Sequence, residues 1–153
     1  YYLMGDTPAK AEEFLDAAIK QEPTKSEYYR AKGSLYEKMN QPEKAEEMYI
    51  KTLDLNPGDF FAQYNLGNIH LNRVIEAHKV VQDIVDAKEY NAALDKVMEQ
   101  YEAVIPYFEK ALELNPKDKN TLTTLKELYF RLRTKNKTYQ EKYDATMATL
   151  NSL

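Results

Sequence analysis

The 153-residue sequence predicts an all-α fold, built as an array of antiparallel helix pairs, and three observations support it. Similar residues return every 34 positions, as at Gly33 and Gly67. Within each period, apolar residues are spaced by three or four, as on one face of a helix. Only four glycines and six prolines are present, too few for a β protein built from many tight turns. We therefore expect each period to be one pair of helices.

Residues 1–25 are predicted to be the remainder of a first repeat. The chain begins Tyr-Tyr-Leu-Met without an initiator methionine, so we expect it to be a fragment of a longer protein. The apolar edge Tyr1–Met4 is a candidate surface for self-association.

Residues 26–59 are predicted to be a complete repeat. Pro42 suits the first turn of its second helix, and Pro57 ends that helix because proline cannot continue the hydrogen-bond ladder. A glycine inside a helix, as at Gly33, costs about 1 kcal/mol relative to alanine. Close approach of a neighbouring helix would offset that cost, and we expect Ala45 to face this contact.

Residues 60–118 are predicted to be an expanded repeat, since the proline-to-proline distance here is 25 residues longer than one period. The additional residues contain no glycine and no proline, so they are not a flexible loop. We expect both helices to be lengthened into a long helical hairpin at about residues 73–98, with the turn near 86–91. A separate inserted helix is the alternative. Pro106 is expected to kink the second helix or to start a new segment.

Residues 119–153 are predicted to be a divergent last repeat of two amphipathic helices. Across the whole array, the recurring small, aromatic and proline positions are expected to be structural: Gly33, Tyr36, Ala45, Pro57, Gly67, Ala111 and Pro116.

The segments "YRAKGSLY", "KAEEMYIKTLDLNP" and "YNLGNIH" resemble the tetratricopeptide repeat family, whose consensus has Leu-Gly, Tyr, Ala, an aromatic residue, Ala and Pro at set offsets. The resemblance covers nearly the whole chain. It implies a right-handed superhelix, an α-solenoid, whose first helices line a concave groove that binds protein or extended peptide.

The family frame assigns candidate groove positions to the first helix of each pair. They combine aromatic rings with side-chain amides, which suit an extended peptide backbone and its side chains. Phe61 and Tyr64 have an alternative role, which is packing between repeats. The candidate residues are Arg30, Ser34, Phe61, Tyr64, Asn65, Asn68, Asn120, Thr123, Glu127, Phe130 and Arg131.

One subgroup of this family holds acidic C-termini with a clamp for two carboxylates. Its five positions fall on Arg30, Ser34, Asn65, Asn120 and Thr124. Of these, only Arg30 and Asn65 carry a side chain that suits the clamp. A carboxylate anchor needs the missing cations, so this specific partner is not expected.

Bulk properties argue against several other classes. Net charge is −4 without a basic block, so nucleic acid is not expected as a partner. No apolar run is long enough for membrane insertion. Cysteine is absent, and His70 and His78 are not spaced as a metal pair. No phosphate loop, nucleophile elbow or Ser/His/Asp set is present. We therefore expect a non-enzymatic protein with no metal and no cofactor.

Two alternatives to a peptide-binding scaffold stay open. The array could be a structural or oligomerisation module that pairs through the N-terminal edge or the long hairpin. It could also be an accessory domain of a larger envelope or enzyme system. Bacterial proteins that resemble this chain, with a stretched repeat near the C-terminus, are often exported, which favours the periplasm over the cytoplasm.

Overall fold

The computed structural model describes residues 8–153, and every regular element in that range is an α-helix. The all-α prediction is confirmed. The apolar edge Tyr1–Met4 lies outside the described residues. The helices are α1 (Pro8–Gln21), α2 (Ser26–Lys38), α3 (Pro42–Leu55), α4 (Phe60–Gln82), α5 (Ala87–Leu114), α6 (Lys119–Leu132) and α7 (Lys137–Asn151).

The helix pairs α2/α3, α4/α5 and α6/α7 fall within the segments 26–59, 60–118 and 119–153. The chain forms two compact units, the first ending at Leu66 and the second beginning at Gly67. The division lies inside α4. The handedness of the array stays a prediction.

In the first unit, α2 packs against both α1 and α3. Tyr36 is buried and donates its hydroxyl hydrogen to Glu12 Oε1 at 2.6 Å, which ties α2 to α1. A Cβ atom built at Gly33 would lie 2.7 Å from Cε1 of Tyr49. The close approach expected at Gly33 is therefore present. The nearest atoms belong to the Tyr49 ring, however, and not to Ala45, which is itself wholly buried.

Two turns share the pattern Asn-Pro-x-Asp, at residues 56–59 and 115–118. In each, an exposed proline, Pro57 or Pro116, follows the last residue of a helix and the asparagine. The aspartate then caps the next helix: Asp59 and Asp118 each accept a hydrogen bond from the amide N–H three residues later, at 2.9 Å and 2.7 Å. The motif ends one helix and begins the next.

The expanded pair consists of a 23-residue α4 and a 28-residue α5, against 13 residues in α2 and 14 in α3. A Cβ atom at Gly67 would lie 3.1 Å from Cζ of the fully buried Phe108. The His70 ring stacks on Tyr107, with centroids 4.6 Å apart. His78 Nδ1 lies 3.1 Å from the Tyr101 hydroxyl. Both histidines thus pack on tyrosines of α5.

The hairpin turn lies at residues 83–86, a few residues earlier than the expected 86–91. The reason is the side chain of Asp86, which accepts hydrogen bonds from the backbone N–H groups of Lys88 and Glu89 and so begins α5 there. No separate inserted helix is present in this part of the described chain. Pro106 lies inside α5, which continues to Leu114, so Pro106 does not start a new segment.

In the second unit, α6 packs on both α5 and α7. Its apolar face is almost completely buried, through Leu122, Leu125, Leu128, Tyr129 and Leu132. From α5, Val104, Ile105, Phe108 and Ala111 are buried as well. The core of this unit therefore lies along α5 and α6.

Two glutamates of α5 link it to the last pair. Glu109 accepts hydrogen bonds from Lys142 at 2.5 Å and from the Tyr129 hydroxyl at 2.8 Å. Glu102 accepts from Lys135, and from the Tyr139 hydroxyl at 2.6 Å. Partial burial alone would raise the pKa of Glu109, but its two hydrogen bonds outweigh burial and lower it. The hydrogen bond from Lys135 lowers the pKa of Glu102.

These lowered pKa values predict an acid-sensitive contribution to stability. A carboxylate whose pKa is lower in the folded state stabilises the fold above its unfolded pKa, about 4.3 for glutamate. That contribution disappears as pH falls through the folded-state pKa. The free energy of unfolding should therefore be lower in Glu109→Gln than in the parent at neutral pH. The difference should shrink steadily below about pH 4.3. Because Glu109 is partly exposed, we expect a difference of about 1 kcal/mol or less.

Urea denaturation at a series of pH values measures this difference. The matched control is Glu113→Gln, which removes a carboxylate from the same helix in a solvent-exposed pair with Lys110. Its effect should be smaller than that of Glu109→Gln at neutral pH. Equal effects of the two substitutions would contradict the assigned role of Glu109.

Candidate docking surfaces

The first unit presents an exposed aromatic ring beside an arginine. Phe61, at the start of α4, is 59% exposed. The Arg30 guanidinium lies over its ring at 5.4 Å from the centroid. Arg30 Nε also lies 3.6 Å from the carboxylate of Asp59, the buried aspartate that caps α4. Asp59, which caps α4, thus also holds Arg30 against the exposed ring of Phe61. We call Arg30, Ser34, Phe61, Tyr64 and Asn65 the α2–α4 surface.

Asn65 lies beside the hydroxyl of the fully buried Tyr49. Asn65 Nδ2 donates to this hydroxyl at 3.1 Å, and Tyr49 in turn donates to Glu37. Ser34, on α2, is half-buried. Burial, reinforced by Glu37, raises the pKa of Tyr49 and keeps it neutral. Of the predicted groove residues, Asn65 is therefore held in place by an internal tyrosine.

Tyr64 packs on the aromatic pair at the start of α4. Its ring is stacked on Phe60 with centroids 5.9 Å apart, and Phe60 meets Phe61 edge-on at 5.4 Å. Tyr64 is only half-buried. Of the two aromatic residues considered for packing or binding, Phe61 is the more exposed to a partner.

The second unit contains the other predicted groove residues, on α4 and α6. Asn68 and Thr123 are half-buried, and Asn120 is exposed near the start of α6. Glu127, Phe130 and Arg131 lie on the C-terminal half of α6, and all three are exposed. The last three line a common cavity.

That cavity is an open groove of about 640 Å³ between α5, α6 and α7, which we call the α6–α7 groove. Its apolar wall is formed by Phe130, Tyr143 and Met98. Phe130 is 47% exposed and contacts Tyr143, with ring centroids 5.6 Å apart. The groove is large enough for several ligand atoms, within the usual range for binding clefts.

Three basic side chains line the same groove. The guanidinium of Arg133 lies 3.4 Å from the centroid of the Phe130 ring and donates to the Phe130 carbonyl oxygen at 2.6 Å. The Arg131 guanidinium lies over the ring of Tyr101 at 5.2 Å. Lys126 completes the set, and Glu127 is the one carboxylate among the lining residues. Neither arginine forms an ion pair with any residue of the described chain.

The sequence frame identified three lining residues of this groove and missed the others. It missed Met98, Lys126, Arg133, Thr134 and Tyr143. Met98 and Tyr143 come from α5 and α7. These are the second helices of their pairs, whereas the family frame places groove residues on the first helices. The signal in the sequence that could have identified Arg133 is its position three residues after Phe130, which places the two side chains on the same side of a helix.

Two further properties concern the range 8–153. Within it, no group of three or more histidine, aspartate or glutamate side chains is arranged to hold a metal ion. No helix in this range is both long enough and apolar enough to cross a bilayer.

Comparison with known proteins gives one family and a few relatives. The sequence profile described as "Tetratricopeptide repeat" matches residues 26–59 and 98–118. The human protein named Protein O-mannosyl-transferase TMTC3 is 34% identical over 113 residues, which are 74% of this chain and 10% of that protein. The chain thus corresponds to about a tenth of that curated relative.

The fold is similar to that of solved structures. One is the human IFIT1 dimer with m7Gppp-AAAA, with a TM-score of 0.63 and 18% sequence identity. The similarity covers 95% of this chain and 29% of the IFIT1 chain. At this identity, the likeness concerns the fold alone.

Proposed function

Because the chain belongs to the tetratricopeptide repeat family, we propose that it is a non-catalytic scaffold that binds a protein or an extended peptide. The proposed contacts are the α2–α4 surface and the α6–α7 groove. The family and the helix-pair fold support the general role of an interaction scaffold. The choice of these two surfaces is our proposal.

One observation supports the choice of these two surfaces. Each unit exposes a phenylalanine on the first helix of a pair, and each phenylalanine has an arginine over its ring: Phe61 with Arg30, and Phe130 with Arg133. Exposed aromatic residues and arginines are the side chains that most often dominate the binding energy of protein interfaces. An aromatic ring held by an arginine is already ordered, so little conformational entropy is lost when a partner binds it.

No catalytic step is part of the proposal. The name of the human relative describes a transferase, and the chain aligns with a tenth of that protein. The IFIT1 structure contains m7Gppp-AAAA. We propose protein or peptide as the partner here, since the sequence has net charge −4 and no basic block.

Selection from a library of random displayed peptides tests the scaffold proposal. We expect enriched peptides whose affinity falls about tenfold or more in Phe61→Ala or in Phe130→Ala, since removing a central aromatic contact costs more than about 1.4 kcal/mol. The control is Phe14→Ala, which removes an exposed phenylalanine from α1. A library without enriched sequences, or peptides that bind both variants as well as the parent, would contradict the proposal.

Self-association through the long hairpin is the second candidate role. Val80 is 67% exposed on α4, and Val85 is 98% exposed in the hairpin turn. Such apolar side chains at a hairpin tip favour contact with another apolar surface. A sedimentation coefficient that rises with protein concentration would support this role over peptide binding.

A further inference from the structure

The α6–α7 groove combines two chemical features that together define the kind of partner it fits. This inference rests on the scaffold function proposed above and names the ligand class of one surface. The first feature is the apolar wall, in which Phe130 and Tyr143 leave ring surface exposed beside Met98. A large apolar side chain of a ligand would bury this surface and be stabilised by about 25 cal/mol per Å² removed from water.

The second feature is the charge around that wall. Lys126, Arg131 and Arg133 line the groove against a single carboxylate, Glu127, although the whole chain has a net charge of −4. This local positive charge is opposite in sign to the charge of the chain. It favours a ligand that brings carboxylates to the groove.

The arginines are oriented in a way that leaves donors for a ligand. Arg133 uses one N–H on the Phe130 carbonyl oxygen, and a guanidinium has five N–H donors in total. Arg131 is exposed and rests on the ring of Tyr101 without a carboxylate partner in the described chain. Aromatic rings hold both guanidinium groups in place, which suits bidentate recognition of a carboxylate.

We infer that the α6–α7 groove binds an acidic peptide segment that carries one large apolar side chain. The apolar side chain lies against Phe130 and Tyr143, and flanking carboxylates pair with Arg131 and Arg133. Glu127 repels a carboxylate at its own edge of the groove. It therefore favours a segment whose acidic residues lie on the arginine side of the apolar side chain.

Fluorescence anisotropy with three synthetic peptides tests the ligand class. The first peptide has a central phenylalanine flanked by aspartates and glutamates. The second replaces the acidic residues by asparagine and glutamine, and the third replaces the phenylalanine by alanine. We expect the second and third peptides to bind at least about tenfold more weakly than the first. We also expect the affinity for the first peptide to fall as salt concentration rises.

Charge-reversed variants test the position. The double variant Arg131→Glu and Arg133→Glu should lose the acidic peptide and should bind a matched peptide with lysines in the flanking positions. Single Arg131→Gln and Arg133→Gln variants remove charge with a smaller change to the fold. The control is Lys117→Glu, an exposed lysine in the turn between α5 and α6 and outside the lining residues. Circular dichroism is the check that each variant is folded.

The outcomes separate this inference from the scaffold proposal. Equal binding of acidic and neutral peptides, or unchanged binding in all arginine variants, would overturn the inference. If library peptides still require Phe61, the scaffold proposal survives that result. Tighter binding of a single-stranded oligoadenylate than of the acidic peptide would overturn the inference in favour of nucleic acid. Concentration-dependent dimerisation lost in Phe130→Ala would replace the peptide by a second copy of the chain.

Discussion

Replacement of Phe108 by alanine is expected to lower the free energy of unfolding of the second unit by about 3–5 kcal/mol. The side chain is fully buried on α5. Its ring lies 3.1 Å from the position of a Cβ atom on Gly67, so α4 and α5 approach each other closely at this point. Removal of the ring would leave a cavity opposite a residue that has no side chain to fill it. Urea denaturation followed by circular dichroism measures the loss.

The matched control is Phe14→Ala, which makes the same chemical change at a side chain that is 73% exposed. It should alter the free energy of unfolding by no more than about 0.5 kcal/mol. A second test uses Gly67→Ala in both backgrounds. In the parent, the methyl group of Gly67→Ala crowds against the Phe108 ring. In the Phe108→Ala background, the same methyl group occupies part of the cavity that the ring has left. The two changes should therefore be non-additive, and simple additivity would contradict the proposed contact.

The repeat frame was predictable because it is encoded by residues that are separated by a fixed number of positions. Gly33 and Gly67 are both buried, and so are Tyr36, Ala45 and Ala111. These positions need a small or an aromatic side chain at a fixed place in every helix pair, so they return with the period. The pattern Asn-Pro-x-Asp marks the turns for the same reason, although its aspartate caps were not recognised.

The partner of each glycine was not predictable from the period alone. The sequence suggested that Gly33 would face Ala45, since two small residues allow close approach of helices. In the structure, a ring lies at both glycines, Tyr49 at Gly33 and Phe108 at Gly67. Periodicity shows that a residue needs space, but the depth at which two helices pack decides which neighbour occupies it.

The α6–α7 groove was half predictable for a related reason. Glu127, Phe130 and Arg131 share one face of a single helix, and such a face can be derived from helical periodicity. Met98 and Tyr143 reach the groove from two other helices. Their positions depend on the length of α5 and on the packing of α7. The periodicity of a single helix carries no information about either. The turn at 83–86 was misplaced for a different reason, because Asp86 was not recognised as the cap that begins α5.

Replacement of Gly33 by alanine is expected to destabilise the first unit by about 1–3 kcal/mol, although alanine is the better helix former by about 1 kcal/mol. The added Cβ would lie 2.7 and 2.9 Å from two atoms of the Tyr49 ring, closer than real Cβ contacts, and 3.0 Å from a third. The ring cannot move aside easily, because it is fully buried and Asn65 donates to its hydroxyl. The steric cost therefore exceeds the gain in helix propensity. Thermal and urea denaturation measure the net effect.

A graded series of glycine substitutions isolates the cause. At Gly67 the nearest atoms to a new Cβ are at 3.1–3.3 Å, so Gly67→Ala should cost less than Gly33→Ala. At Gly58 the nearest atom is 3.5 Å away, in a turn, so Gly58→Ala should be close to neutral. If crowding against the second helix is what preserves these glycines, the order of destabilisation must follow the order of distances. A stabilised Gly33→Ala variant would show that helix propensity, and not the close approach of α2 and α3, decides the residue at this position.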